Sequence, residues 1–348
     1  MKLRIFGGKG GVGKTTCAAA AALAAAEAGG RILVISTDPA HSLGDALATR
    51  LKGEPTRIPT RRGELLAAEL AAAPAMVRWT EEHRRDLQSL AARGTYLDAG
   101  DVDRLLDLTP PGGDELIAWL EIDRLARQTG CDQVVVDTAP TAHTLRLLAS
   151  PETLRRFAAL LDRLEDRHRE MAAHFGGAWQ PDAGDELIAD LEAEGRTLEE
   201  RLRDPEATSL VWVLLPEALS VAETEDALAV LGKADIPVQE LIVNRVLPPG
   251  GGERHKAEAA VIREIRKVFA GRTIRFLAEA EKEPRGRGAL RRIGANLAAE
   301  LPRPRPSSPR PSSPTALPPT GRRGRRQKRY NCVPLSRLGG VRWERGQG

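Results

Sequence analysis

Cysteine is scarce in this chain of 348 residues. The three that occur, Cys17, Cys131 and Cys332, lie far apart, and no C-x-x-C pair is present. That excludes a disulfide framework and a cysteine-rich zinc site, and it points to a reducing compartment. Methionine is equally rare, at Met1, Met76 and Met171. Long apolar runs are missing as well. No h-region or cleavage site follows Met1-Lys2, so a secretory signal is not expected. The most apolar stretch, Cys17 to Ala28, is mostly alanine, carries Glu27 and stops at Gly29-Gly30, too short to span a bilayer. No transmembrane segment is expected, and the expected location is cytoplasmic.

The net charge of +4 hides an asymmetry. Residues 302–348 carry twelve Lys or Arg against one acid, Glu344, a balance of +11 that leaves the remainder near −7. An acidic body offers nucleic acid no electrostatic footing, so any such affinity rests on the tail, above all Arg322 to Arg329. The same tail is rich in Pro, Arg and Ser and cannot bury enough apolar area to offset its ordering entropy. It is expected to be disordered, and its prolines argue against an amphipathic membrane helix.

What the chain does possess is Phe6-Gly-Gly-Lys-Gly-Gly-Val-Gly-Lys-Thr-Thr16, placed between a strand-like run and a long alanine-rich helical stretch. Gly8 to Thr15 reads G-x-x-x-x-G-K-T. Glycines let successive backbone N–H groups turn toward an anion, Lys14 sets a cation against terminal phosphates, and Thr15 offers a hydroxyl to magnesium. The following helix adds its N-terminal dipole. Gly8, Lys9, Gly10, Gly11, Val12, Gly13, Lys14, Thr15 and Thr16 are therefore the predicted cradle for ATP with Mg2+. Lys9, a second lysine on the loop, is either a solvated surface charge or a cation aimed across a subunit boundary.

Short apolar runs at Leu3–Phe6, Arg31–Ser36, Gln133–Val136, Leu210–Leu215, Leu241–Val243 and Thr273–Leu277 alternate with helical patterns. This predicts an α/β P-loop NTPase with a mostly parallel, doubly wound sheet. Polar residues follow successive runs: the cradle, Thr37-Asp38, Asp137-Thr138, Pro216-Glu217 and Asn244. In such sheets ligands bind at the carboxyl ends of strands. A helical subdomain is expected from about 64–128 and 151–203, where Leu154, Phe157, Leu160, Leu161 and Leu164, then Leu187, Leu191 and Leu198, form an apolar face. Core against the sheet is the favoured reading of that face; a surface for a client is the alternative. The expected domains are an ATPase domain over 1–301 and the basic tail over 302–348.

Lys9 in K-G-G-V-G-K-T resembles the deviant phosphate loop of the dimeric ATPases that include arsenite-pump, tail-anchored-protein targeting, partition and septum-site members. Ser36-Thr-Asp-Pro-Ala-His-Ser-Leu-Gly-Asp-Ala-Leu47 and Asp137-Thr-Ala-Pro-Thr-Ala-His-Thr-Leu-Arg-Leu-Leu148 look like the two switches of the arsenite-pump and targeting branch. Weaker echoes, such as Pro110–Leu116 and Leu215–Glu225, carry the likeness to about Leu301. The resemblance implies that Asp38 orients or deprotonates the attacking water, with Lys9 and Lys14 stabilising developing charge. It implies that Asp137 approaches the magnesium held by Thr15, that Asn244 reads adenine, and that Glu217 reaches the nucleoside from a neighbouring subunit. A buried structural role for Asn244 stays open. His41 and Asp45 sit in the first switch, His41 as a hydrogen-bonding residue and Asp45 as a helix cap. One cradle, not two, requires a homodimer for paired sites.

The sequence departs from the family at Ala142, where glycine is usual and a Cβ resists positive φ. Arsenite is disfavoured as cargo, because soft arsenic(III) needs thiolates that the helical regions lack. A client protein or a membrane transporter component then remains the expected partner of an ATP-driven switch. The alternative is a nucleotide-dependent scaffold of the partition type, acting on DNA through the tail.

Overall fold

The computed structural model describes residues 1–40, 42–94, 113–174 and 182–298. Strands β1 (Lys2–Gly8), β2 (Arg31–Ser36), β3 (Thr56–Ile58), β4 (Glu64–Glu69), β5 (Gln133–Asp137), β6 (Thr208–Leu214), β7 (Val238–Val246) and β8 (Thr273–Ala278) form one sheet. Its order is β3-β4-β2-β5-β1-β6-β7-β8. Every pairing is parallel except that of β3 with β4. The first, phosphate-loop strand is therefore central, flanked by β5 and β6.

Alternation along the strands divides two cores. Leu3, Ile5, Leu33, Ile35, Val134 and Val136 face one layer, together with residues of α4 (Gly113–Thr129) and the start of α5 (Thr141–His174), α7 (Ala218–Lys233) and α8 (Glu253–Val268). Phe6, Ile32, Val34, Val135, Val211 and Ile242 face the other, where α1 (Lys14–Glu27), α2 (Ser42–Leu47) and α9 (Gly286–Ala298) pack. Continuous apolar strands with period-two partition are what burial on both faces demands. The α1 alanines let that helix lie close to the sheet: Ala18, Ala19, Ala20 and Ala22 are fully buried.

A third cluster belongs to helices alone. Leu87 and Leu90 of α3 (Ala72–Gly94), Leu154, Ala158 and Leu161 of α5, and Leu187, Ile188 and Leu191 of α6 (Ala183–Arg203) pack together. The apolar stripe is thus core for the most part, but its partner is this helical layer rather than the sheet. Leu160 departs from it, 54% exposed, and Leu198 packs on the sheet-side core instead. The side chain of Leu164 lies outside the described residues.

Helix α5 belongs to two cores, and Pro151 marks the change. Leu147 and Leu148 before it join the sheet's core, whereas Leu154 onward joins the helical one. Proline lacks the N–H that would bond the carbonyl four residues earlier, that of Leu147. Two side chains replace it: Trp119 Nε1 and Ser150 Oγ each donate to the Leu147 oxygen at 2.6 Å.

The expectation of helix from residue 64 is corrected. Glu64-Leu-Leu-Ala-Ala-Glu69 is a strand in parallel register with all of β2, from Arg31 opposite Glu64 to Ser36 opposite Glu69. Leucine, alanine and glutamate favour helix intrinsically, but burial beside β2 overrides a weak local preference. The three-residue β3 also escaped the sequence pattern, being too short to show a period.

Candidate functional site

The carboxyl ends of β1, β2, β5 and β7 gather the predicted residues. The loop after β1 turns through left-handed backbone at Gly8 (φ 145°) and Gly13 (φ 95°). A Cβ on Gly8 would lie 2.3 Å from the Val213 carbonyl of β6, and one on Gly13 would lie 2.3 Å from Asn244 Nδ2. No side chain but hydrogen fits between the loop and its neighbours at these two positions. Gly13 is also the N-cap of α1 and supplies no side-chain cap, so it leaves the first-turn amides of Lys14, Thr15 and Thr16 for an anion to take.

Lys14 is buried, and its Nζ donates to the Lys9 carbonyl at 3.0 Å, spanning the loop. Burial pushes its ammonium below the ordinary lysine range, while Asp137 and Asp38 pull it back. Thr15 Oγ1 lies 2.9 Å from Ser42 Oγ at the start of α2. Asp137 closes β5 with 0% exposure, accepting from Ser36 Oγ through Oδ2 at 3.0 Å, while Oδ1 is buried without a partner. Burial raises its carboxyl from 3.8 to about 6, against the opposing pull of the Thr15 and Ser36 hydroxyls and Lys14.

Asp38 stands beside it because the ends of β2 and β5 are fastened together: the Thr37 N–H donates to the Asp137 carbonyl at 2.9 Å. Asp38 is half-buried, its N–H on Ser36 Oγ at 3.3 Å and its Oδ1 accepting from the Ala40 N–H at 2.9 Å. Ala142 lies in the first turn of α5, and it is not among the positive-φ residues, so the departure from glycine costs no strain here. Thr138 ties that loop back to β1 by donating to the Phe6 carbonyl at 2.7 Å. Asp45 lies in the first turn of α2. His41 and the segment Pro110–Gly112 lie outside the described residues, as do residues 302–348.

A magnesium ion fits this donor set. Among the described residues no group of three or more His, Cys, Asp or Glu side chains is arranged to cage a metal. Magnesium needs no such cage: it keeps several waters and takes a hydroxyl and phosphate oxygens. Thr15 supplies the hydroxyl, and the orphaned Asp137 Oδ1 is an acceptor without a donor, which a metal-bound water satisfies. The amide-lined loop and Lys14 fit a polyphosphate.

Other candidates separate. Asn244 Nδ2 donates to the Val12 carbonyl at 2.8 Å, bracing the back of the loop. Glu217 is exposed as the N-cap of α7 and makes no capping bond. Lys9, 45% exposed on its side chain, is paired with Glu223 of α7 at 2.8 Å. Sequence reasoning passed over four residues that the fold brings in: Ser36, Ser42, Glu223, and Arg245, whose Nη2 donates to the Gly11 carbonyl at 2.9 Å. Ser36 and Ser42 sat inside a motif already recognised. Glu223 lay inside the Leu215–Glu225 echo and Arg245 beside Asn244, but nothing local named their partners, which only the fold supplies.

Residues 1–299 match the family model described as anion-transporting ATPase. The chain belongs to the anion-transporting ATPase family. Its relatives include ATPase GET3B of Arabidopsis thaliana, 33% identical over 84% of this chain and 78% of the relative. The ATPase ASNA1 homolog of Entamoeba histolytica is 30% identical over 86% and 94%. ATPase get3 of Schizosaccharomyces pombe is 29% identical over 84% and 89%. This member of the anion-transporting ATPase family is thus an ATPase on a mostly parallel α/β scaffold, and among its described residues no helix is long and apolar enough to cross a membrane.

Proposed function

We propose that this ATPase is a homodimeric switch in which ATP and magnesium join two copies, and hydrolysis releases a client held by the helical layer. One observation carries the reading. Lys14 spans its own loop, whereas the ammonium of Lys9 sits outside on Glu223, at the surface, where a second copy can take it. A loop with two lysines of which one faces outward is suited to complete a site on a facing subunit.

Gly8 to Thr16 hold the phosphates, Thr15 and Asp137 hold magnesium, and Asn244 and Glu217 are the nucleoside contacts. Magnesium, when bound, would supply positive charge to the phosphates. Asp38 positions the attacking water in line with the γ-phosphate, a role of orientation more than of basicity. Lys14 and the partner copy's loop lysine stabilise the charge that develops. The location consistent with two buried free thiols, Cys17 and Cys131, is a reducing one such as the cytoplasm.

The client is best read as a protein or a membrane transporter component rather than arsenite. Both thiols among the described residues are buried, and burial pushes Cys17 up to about 12, so it stays a protonated thiol unfit to ligate arsenic(III). The mass of the protein in solution, measured with no nucleotide, with ADP and with Mg-ATP, tests the reading. A dimer that forms only with Mg-ATP and is lost in Lys14→Ala upholds it; the same mass under all three conditions removes it.

The +11 charge balance of residues 302–348 favours a second reading, a partition-type scaffold on DNA. Salt-sensitive retention on DNA that vanishes when residues 302–348 are deleted would select that reading. Stimulation of ATP turnover by an exposed apolar peptide would select the first.

A further inference from the structure

The segment between β2 and β3 carries Asp38 and Ser42, and Glu69 and Leu70, at the end of β4 and just past it, hold that segment and the end of β2 at three places. At its start, the Leu70 N–H donates to the Ser36 carbonyl at 2.9 Å; at its end, the Glu69 N–H donates to the Lys52 carbonyl at 3.0 Å. In the middle the contact is a side chain: Glu69 Oε1 accepts from the Gly44 N–H at 2.8 Å. Glu69 is buried, stands opposite Ser36 in the sheet, and closes the strand that sequence propensity assigned to helix.

Gly44 belongs to the first turn of the six-residue α2, a helix too short to hold itself in water. Its first N–H groups have no partner within the helix, and a carboxylate is a strong acceptor for one of them. The approach is close: a Cβ on Gly44 would meet the Thr49 carbonyl at 2.8 Å and come within 3.6 Å of Glu69 Oε1. Two residues before Gly44, Ser42 Oγ meets Thr15 Oγ1 at 2.9 Å. A continuous path therefore runs from the sheet through Glu69, Gly44 and Ser42 to the Thr15 hydroxyl.

We propose that Glu69 is a positioning residue for ATP hydrolysis, its carboxylate fixing α2 through the Gly44 amide so that Ser42 and Asp38 keep their places against Thr15 and the cradle. In this role Glu69 acts through α2 rather than on the reacting atoms. The proposal rests on the roles given above to Thr15 and Asp38.

Glu69→Ala, which removes the acceptor, and Glu69→Gln, which keeps one, separate this role from a merely structural one. In Glu69→Ala the expected result is a fall in kcat of about tenfold or more with KM for ATP within about threefold, since misplacement harms the reacting geometry more than binding. The Mg2+ concentration for half-maximal rate should rise, and amide hydrogen exchange over 42–47 should quicken. Glu69→Gln should recover most of all three. An unchanged kcat in folded Glu69→Ala, or equal losses in the two variants that track only the folded fraction, would overturn the proposal. Where Glu69→Ala does not fold, Glu69→Asp, whose shorter side chain draws the acceptor away from the Gly44 N–H, is combined with Ser42→Ala: coupled effects on kcat support the path, and additive effects overturn it. Asp38→Asn serves as the control. If Asp38→Asn still turns over, the site assignment itself is wrong; if Asp38→Asn is dead while Glu69→Ala matches the parent, only the role of Glu69 fails.

Discussion

Lys9 Nζ and Glu223 Oε1 lie 2.8 Å apart, joining the phosphate loop to α7 across 214 residues of chain. Both side chains are partly exposed, so the pair contributes little to stability; exposed ion pairs are worth about 0–1 kcal/mol. Its importance is in where it parks a cation. Glu223→Gln should leave the melting temperature nearly unchanged and alter the ATP concentration at which dimers form, as read by ultracentrifugation. A large fall in melting temperature with no change in assembly would assign the pair to the fold alone.

Mixing Lys9→Ala with Asp38→Asn, which keeps ATP and so the ability to pair, tests whether the outward lysine serves a facing cradle. Each variant alone should be inactive. A mixed dimer contains one intact cradle faced by one intact Lys9, so an equal mixture should recover about a quarter of the parent rate if subunits pair at random. No recovery at all would mean that Lys9 acts within its own chain.

Asp38→Asn should bind ATP with near-parental affinity and lose turnover by about 10²-fold or more, the range expected for a group that handles the attacking water. Equilibrium binding of a fluorescent ATP analogue beside single-turnover hydrolysis separates the two. A collapse of affinity would make Asp38 a ligand-holding residue.

Asp137 predicts a pH dependence with a definite sign. Its folded carboxyl, near 6 rather than 3.8, is charged at a cost above about pH 6 in the metal-free protein, with Lys14 opposing and Asp38 adding to the cost. As pH falls from 6 toward 4 the native state takes up a proton that the unfolded chain does not, so this group's contribution to stability improves. Asp137→Asn should therefore melt higher than the parent at about pH 7.5, and the gap should narrow by about pH 5. Mg2+ affinity of the parent should weaken over the same fall, because the metal requires the ionised form. A gap that does not change with pH would show that Asp137 does not titrate there.

Trp119→Phe removes one of two donors to the Leu147 carbonyl. Leaving that buried oxygen half-served and trimming a packed ring should cost roughly 2–4 kcal/mol in denaturant unfolding. A loss below about 0.5 kcal/mol would mean that Ser150 suffices.

The candidate cradle and the two switch-like motifs stood out in the sequence because each is local: the residues proposed to act together are neighbours along the chain. The sheet's central strands were legible for a related reason, since Ile32–Ile35 and Val134–Val136 are too apolar to be anywhere but buried. Strand β4 was not, because Leu65, Leu66, Ala67 and Ala68 carry no β-branched signal and take their form from pairing with β2. The pairings of Arg245 and Glu223 were invisible for a third reason, although both residues sat in or beside stretches already singled out. Their partners, Gly11 and Lys9, are more than 200 residues away, and a charged surface residue announces nothing until the fold supplies its neighbour.

Helix α5 begins three residues after Thr138 and ends at His174. At about 1.5 Å per residue, the arm from Thr141 to Pro151 is roughly 15 Å long and the arm beyond it roughly 35 Å. With Trp119 and Ser150 fastening it at Leu147, this one helix starts beside the loop that follows Asp137 and ends far out in the helical cluster, so the two regions share a single continuous backbone.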